Sequence, residues 1–91
     1  MNIKVKYYNL LQEALGKKEE TYQMVKGCTL ADLINKVAAE HGEKIRKILF
    51  HKTDILASHI RVFVNDKLIY DLAIPLDDGA EVALFYAVVG G

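Results

Sequence analysis

The residues of this 91-residue chain best suited to chemistry are its last two, Gly90 and Gly91, which follow a strand-like run, FYAVV, directly. A free α-carboxyl at that position has a pKa of about 3.3–3.7, so it is ionised at neutral pH and is a poor electrophile. To react with a sulfur or amine nucleophile it must first become an activated acyl species. An enzyme would have to hold it, exclude water and attach a leaving group. Glycines suit that task, because no Cβ blocks a narrow channel or shields the carbonyl carbon. Residues 87–91, fully extended, would span roughly 17 Å at ~3.3–3.6 Å each. That length reaches a buried site while the globular body stays outside.

The other chemically capable side chains have simpler readings. Cys28 is the single cysteine, so no intrachain disulfide and no cysteine-based zinc or iron–sulfur site can be built. It precedes a helix, where a dipole could lower a thiol pKa, but a small packed residue is the commoner role. His41 falls at the expected end of that helix, and His51 and His59 match no metal-ligand spacing. Asp77 and Asp78 resemble a carboxylate pair but lie in a turn sequence ending in Gly79. No P-loop or dinucleotide glycine pattern is present, so the chain is not expected to bind ATP or any other cofactor itself.

Twelve basic and twelve acidic side chains cancel, which argues against nucleic-acid binding driven by bulk charge. No stretch approaches the ~20 apolar residues of a membrane span. Lys4, Lys6, Gln12 and Glu13 interrupt the N-terminus where a signal peptide needs an apolar run. A cytoplasmic protein with no membrane partner is the expectation.

The elements that must position the terminus read as follows. Ile3, Val5 and Tyr7 alternate with Lys4 and Lys6, giving a first strand with one buried face. A short helix is expected over 9–16, ended by Gly16, then a polar edge strand over 18–25. Thr29 caps a helix over 29–41, with Asp32 in its first turn. Leu30, Leu33, Ile34, Val37, Ala38 and His41 fall on one face, and Gly42 is read as a left-handed C-terminal cap. Residues 43–51 suggest a second short helix and 52–58 a loop. Strands follow over 60–64, 68–72 and 81–86, with turns at Asn65-Asp66 and Asp78-Gly79.

One long helix must then cover one face of a mixed sheet of about five strands. Ile3, Val5, Ile60, Val62, Val64, Val82 and Leu84 would face it. Lys4, Lys6, Arg61, Phe63 and Phe85 would lie on the other side. Two phenylalanines among three cations suggest a surface for a protein partner.

The stretch RVFVNDKLIYDLAIPLDDGAEVALFYAVVGG, with the N-terminal KVKYYNLLQEALG and the capped TLADLINKVAAEHG, resembles the ubiquitin-like sulfur carriers, most of all the small subunit of molybdopterin synthase. The resemblance implies an α+β, β-grasp fold: a domain over 1–86 and a flexible Gly-Gly tail over 87–91. It implies a carrier that is not an enzyme by itself. A ubiquitin-activating-type enzyme would adenylate Gly91 with ATP, and a persulfide donor would convert it to a thiocarboxylate. The large catalytic subunit would then receive the tail and pass the sulfur to a pterin precursor. Carried over by residue, Gly91 bears the acyl group and Gly90 is its slim neighbour. Phe85, Phe63, Arg61, Val88 and Val89 would contact partners. The family's tail is richer in proline than Tyr86-Ala87-Val88-Val89, which leaves the acceptor open. Conjugation to lysines as a protein modifier uses the same activation, as do sulfur carriers for thiazole or amino-acid synthesis. A noncovalent interaction module using the Phe63/Phe85 face is the reading from another class.

Overall fold

The structure, a computed structural model, describes residues 1–53 and 55–87. The chain runs β1 (Asn2–Tyr8), α1 (Leu10–Leu15), β2 (Glu19–Gln23), α2 (Leu30–His41), α3 (Glu43–Leu49), β3 (Phe50–Lys52), β4 (Ile55–Leu56), β5 (Ile60–Val64), β6 (Lys67–Ile69) and β7 (Glu81–Tyr86). Five strands form one mixed sheet in the order β2-β1-β7-β5-β6, with β1 and β7 parallel at its centre. The polar strand β2 lies at an edge, as its charges suggest. This is the expected β-grasp architecture.

The alternation in β1, β5 and β7 decides which face is dry. Ile3, Val5, Val62, Val82 and Leu84 are fully or almost fully buried, together with Leu30, Leu33, Ile34, Val37 and Ala38 of α2. Val64, at the end of β5, is only partly buried against the same core. α2 begins as its sequence dictates. Asp32 N–H donates to Thr29 Oγ1 at 3.2 Å and Thr29 N–H donates to Asp32 Oδ2 at 2.9 Å, a complete capping box.

Three local readings are corrected. The strand expected over 68–72 is shorter and starts earlier, at Lys67. The chain leaves the sheet because α2 needs acceptors for its first-turn amides. Ala31 N–H donates to the Leu72 carbonyl at 2.9 Å, and Leu30 N–H to that of Ile74 at 3.0 Å. Gly42 has a positive φ of 94° but an extended ψ of −178°, so it is not a left-handed cap. It ends α2 and starts α3 at once, its N–H donating to Ala38 and its carbonyl accepting from Ile45 and Arg46. Residues 52–58 are not a plain loop. β3 and β4 pair antiparallel, with Phe50 opposite Leu56 and Lys52 opposite Ile55. Strands of three and two residues are too short to leave a readable alternation. The hairpin turn between β5 and β6 is as expected, with Asn65 and Asp66 at φ of 49° and 69°.

Candidate functional site

The sheet face turned away from α2 carries an aromatic platform. In the parallel register of β1 with β7, Tyr8 lies opposite Phe85. Their rings stack with centroids 4.3 Å apart and planes 3° from parallel. Phe63 of β5 meets the Phe85 ring edge-on, at 5.3 Å and 70°. All three side chains are half-buried. Lys6 and Glu81 flank them as an ion pair with 2.5 Å between Nζ and Oε1. Their mutual hydrogen bond raises the Lys6 pKa and lowers that of Glu81. Lys6, Tyr8, Phe63, Asp66, Glu81 and Phe85 line a shallow depression of about 300 Å³.

Sequence reasoning put Phe63 and Phe85 here and overlooked Tyr8. The signal was available, since Tyr8 continues the Lys4–Lys6 side of the β1 alternation. Arg61 sits opposite Phe85 in the β5–β7 pairing. Its guanidinium donates to the carbonyls of Ser58, at 2.6 Å, and Ile60, at 3.1 Å. Arg61 thus braces the turn between β4 and β5.

That turn touches the root of the tail. Ala87 N–H donates to the His59 carbonyl at 2.7 Å. The His59 ring lies against that of Tyr86, with centroids 4.3 Å apart. On the other side, Asn9 Nδ2 donates to the Tyr86 carbonyl at 3.2 Å. Val88, Val89, Gly90 and Gly91, which sequence reasoning made the working end, lie outside the described residues.

The remaining candidates are structural where they are described. Cys28 is 3% exposed, and burial pushes its thiol pKa up rather than down. The Asp78 carboxylate accepts from Asn2 N–H at 2.9 Å, and the Asp77 carbonyl accepts from Ala80 N–H at 3.1 Å, so both serve the turn. His41 does more than end α2. Its Nε2 lies 2.7 Å from Glu20 Oε2, the same oxygen that accepts from Tyr7 Oη at 2.5 Å and Tyr22 Oη at 2.8 Å. Lys17 Nζ reaches the other carboxylate oxygen at 3.1 Å. Burial alone would raise the Glu20 carboxyl, but the hydrogen bonds from Tyr7, His41, Tyr22 and Lys17 outweigh it and bring the pKa down to about 2. Among the described residues no group of three or more His, Cys, Asp or Glu could hold a metal ion, and no helix is long and apolar enough to cross a membrane.

The sequence pattern of the ThiS family matches residues 5–91, most of β1 through the terminal glycines. The chain belongs to the ThiS family. Its fold is that of the ubiquitin-like sulfur carriers. SAMP1 from Haloferax volcanii superposes with a TM-score of 0.86 at 24% identity, each chain covered in full. CysO in the Amycolatopsis orientalis BexX/CysO complex gives 0.72 at 26% identity, over 98% of this chain and 99% of that one. A chain of the complex of subunits 1 and 2 of molybdopterin-converting factor from Helicobacter pylori gives 0.66 at 22% identity, each chain again covered in full. No curated protein matches the sequence.

Proposed function

We propose that this protein is a sulfur carrier whose working group is the carboxyl of Gly91, and that it serves as the small subunit of a molybdopterin synthase. The single observation behind the reading is that the family pattern extends to Gly91 on a chain whose last strand, β7, carries Phe85 at the centre of the aromatic platform. The carrier has no catalysis of its own in this scheme. A ubiquitin-activating-type enzyme docks on Phe85, Phe63 and Tyr8, with Arg61 at the margin. The Gly91 carboxylate attacks the α-phosphorus of ATP and pyrophosphate leaves. The terminal sulfur of an enzyme-bound persulfide then attacks the acyl carbon and AMP leaves. A thiol cleaves the resulting acyl disulfide, reducing it to the thiocarboxylate. Val88, Val89 and Gly90 thread the partner's channel. In the large subunit the thiocarboxylate sulfur displaces an oxygen substituent from a carbon of a pterin precursor. Water cleaves the resulting thioester, leaving the sulfur on the precursor and a carboxylate on Gly91. The fold likeness to one subunit of a molybdopterin-converting factor complex supports this acceptor.

The test is the intact mass of the chain, ending at Gly91, after incubation with ATP, an adenylating enzyme and a persulfide donor. The expected product has one oxygen replaced by sulfur, and a chain lacking Gly90 and Gly91 gives none while folding normally. Sulfur transfer to a pterin precursor with a large synthase subunit fixes the acceptor. A Gly-Gly remnant on lysines of other proteins would instead make it a modifier. Undiminished partner function without the two glycines would make it a noncovalent docking module.

A further inference from the structure

We propose that Asn9 is a positioning residue: with the His59 carbonyl it pins the Tyr86–Ala87 peptide unit and fixes the direction and free length of the tail. The functional consequence rests on the carrier reading above; the pin itself does not.

The carbonyl of Tyr86 and the N–H of Ala87 belong to one planar peptide and point in opposite directions. The carbonyl is held by Asn9 Nδ2 from the β1 side, and the N–H by the His59 oxygen from the β5 side. A peptide gripped at both ends resists rotation, so the path of the chain into Ala87 is set. The β5 jaw is stiff. Ile60 N–H donates to the Ala57 carbonyl at 3.0 Å, and Arg61 ties down the Ser58 carbonyl. The turn over residues 57–60, which follows the 43–56 segment, supplies that jaw.

The β1 jaw is more telling. β1 ends at Tyr8, so no β1 backbone donor follows in register to meet the Tyr86 carbonyl. The Asn9 side chain supplies the missing donor. Asn9 stands at the N-cap of α1, where an asparagine ordinarily accepts from an amide of the first turn. It makes no such cap bond. Its backbone holds φ 56° and ψ −134°, a region that non-glycine residues rarely occupy. A residue that gives up its cap and accepts an unfavourable backbone to reach a carbonyl 77 positions away is placed for that contact.

Beyond the pin lie residues 88–91, which extend at most about 14 Å. A loosened pin lets the tail sweep more directions, so fewer encounters insert it, while docking on the platform is untouched. The prediction is a fall in kcat without a rise in KM.

Two variants test it. Asn9→Gly removes the donor and relieves the backbone; Asn9→Asp removes the donor and keeps a residue tolerant of positive φ. The first readout is amide exchange at Ala87 relative to Lys4, whose N–H bonds the Ala80 carbonyl at the far end of the same strands. Both variants should raise that ratio about tenfold or more. The second readout is thiocarboxylate formation, where kcat should fall roughly fivefold with KM changed by less than about twofold. An unchanged exchange ratio, or an unchanged kcat in a chain that the enzymes do turn over, overturns the proposal. If wild-type chain is turned over by no adenylating enzyme, the carrier reading fails, and the exchange ratio decides the pin by itself.

Discussion

Tyr7 and Tyr8 are neighbours on one strand and face opposite ways. Tyr7 is 1% exposed, and its hydroxyl is bound to Glu20 in a knot that joins β1, β2 and the end of α2. Tyr8 is half-buried and stacks on Phe85, with Phe63 and Ala83 beside the pair and Lys6, Glu81 and Asp66 around them. The knot's polar groups satisfy one another: among the described residues no buried side-chain nitrogen or oxygen lacks a partner. The platform's apolar surface has no such closure. A polar cluster that is complete within the chain holds a fold; an aromatic cluster left half-open is, on the proposed function, the face a partner would cover. On the proposed function, strand β1 divides stability from recognition between two adjacent residues.

That division breaks first at Glu20 if it is wrong. Glu20→Ala leaves the buried Tyr7 hydroxyl, the Tyr22 hydroxyl and His41 without their shared acceptor. The expected loss is about 3 kcal/mol of folding stability, measured by urea unfolding. Partner affinity per folded molecule should not change. A variant that unfolds at the wild-type midpoint would mean the knot is ornamental.

Acid should act on the same group with slightly smaller effect. Despite burial, the hydrogen bonds it accepts hold the Glu20 carboxyl in the fold down to about 2, against an ordinary value of 4.5. The folded state therefore holds this proton less tightly than the unfolded chain. The stabilisation is complete above about pH 4.5 and is lost as pH falls through about 2, roughly 2–3 kcal/mol in all. In Glu20→Ala this part of the acid slope should vanish, which unfolding curves at pH 5 and about pH 2 would reveal.

The knot was illegible in the sequence for a physical reason. Glu20 reads as an edge-strand charge and His41 as the last position of a helix face, both correct as local statements. Their meeting, 21 residues apart, is a tertiary event that no periodicity records. Asn9 repeats the lesson: a local rule makes it a cap, and a partner far along the chain makes it a donor. The strands β1, β5 and β7, the capped helix α2 and the Asn65-Asp66 turn were legible because alternation, a cap and a turn are written within a few residues. Phe63 and Phe85 could be assigned to one face by parity alone, whereas the Tyr8 stack depended on which strand neighbours β7.

The platform gives the smallest effect and the sharpest contrast. Phe85 stands between Tyr8 and Phe63, so removing its ring dismantles both contacts. Because the ring is half-exposed and lies outside the core that α2 covers, Phe85→Ala should leave folding stability within about 1 kcal/mol of wild type. Its cost should appear on binding the adenylating enzyme or the large subunit, as ~1–3 kcal/mol, a rise in Kd of about five- to 150-fold by calorimetry. Glu20→Ala and Phe85→Ala would then be mirror images, one losing stability without affinity and the other affinity without stability. Equal partner affinity for wild type and Phe85→Ala would remove the platform from recognition and leave the tail to act without a docking face.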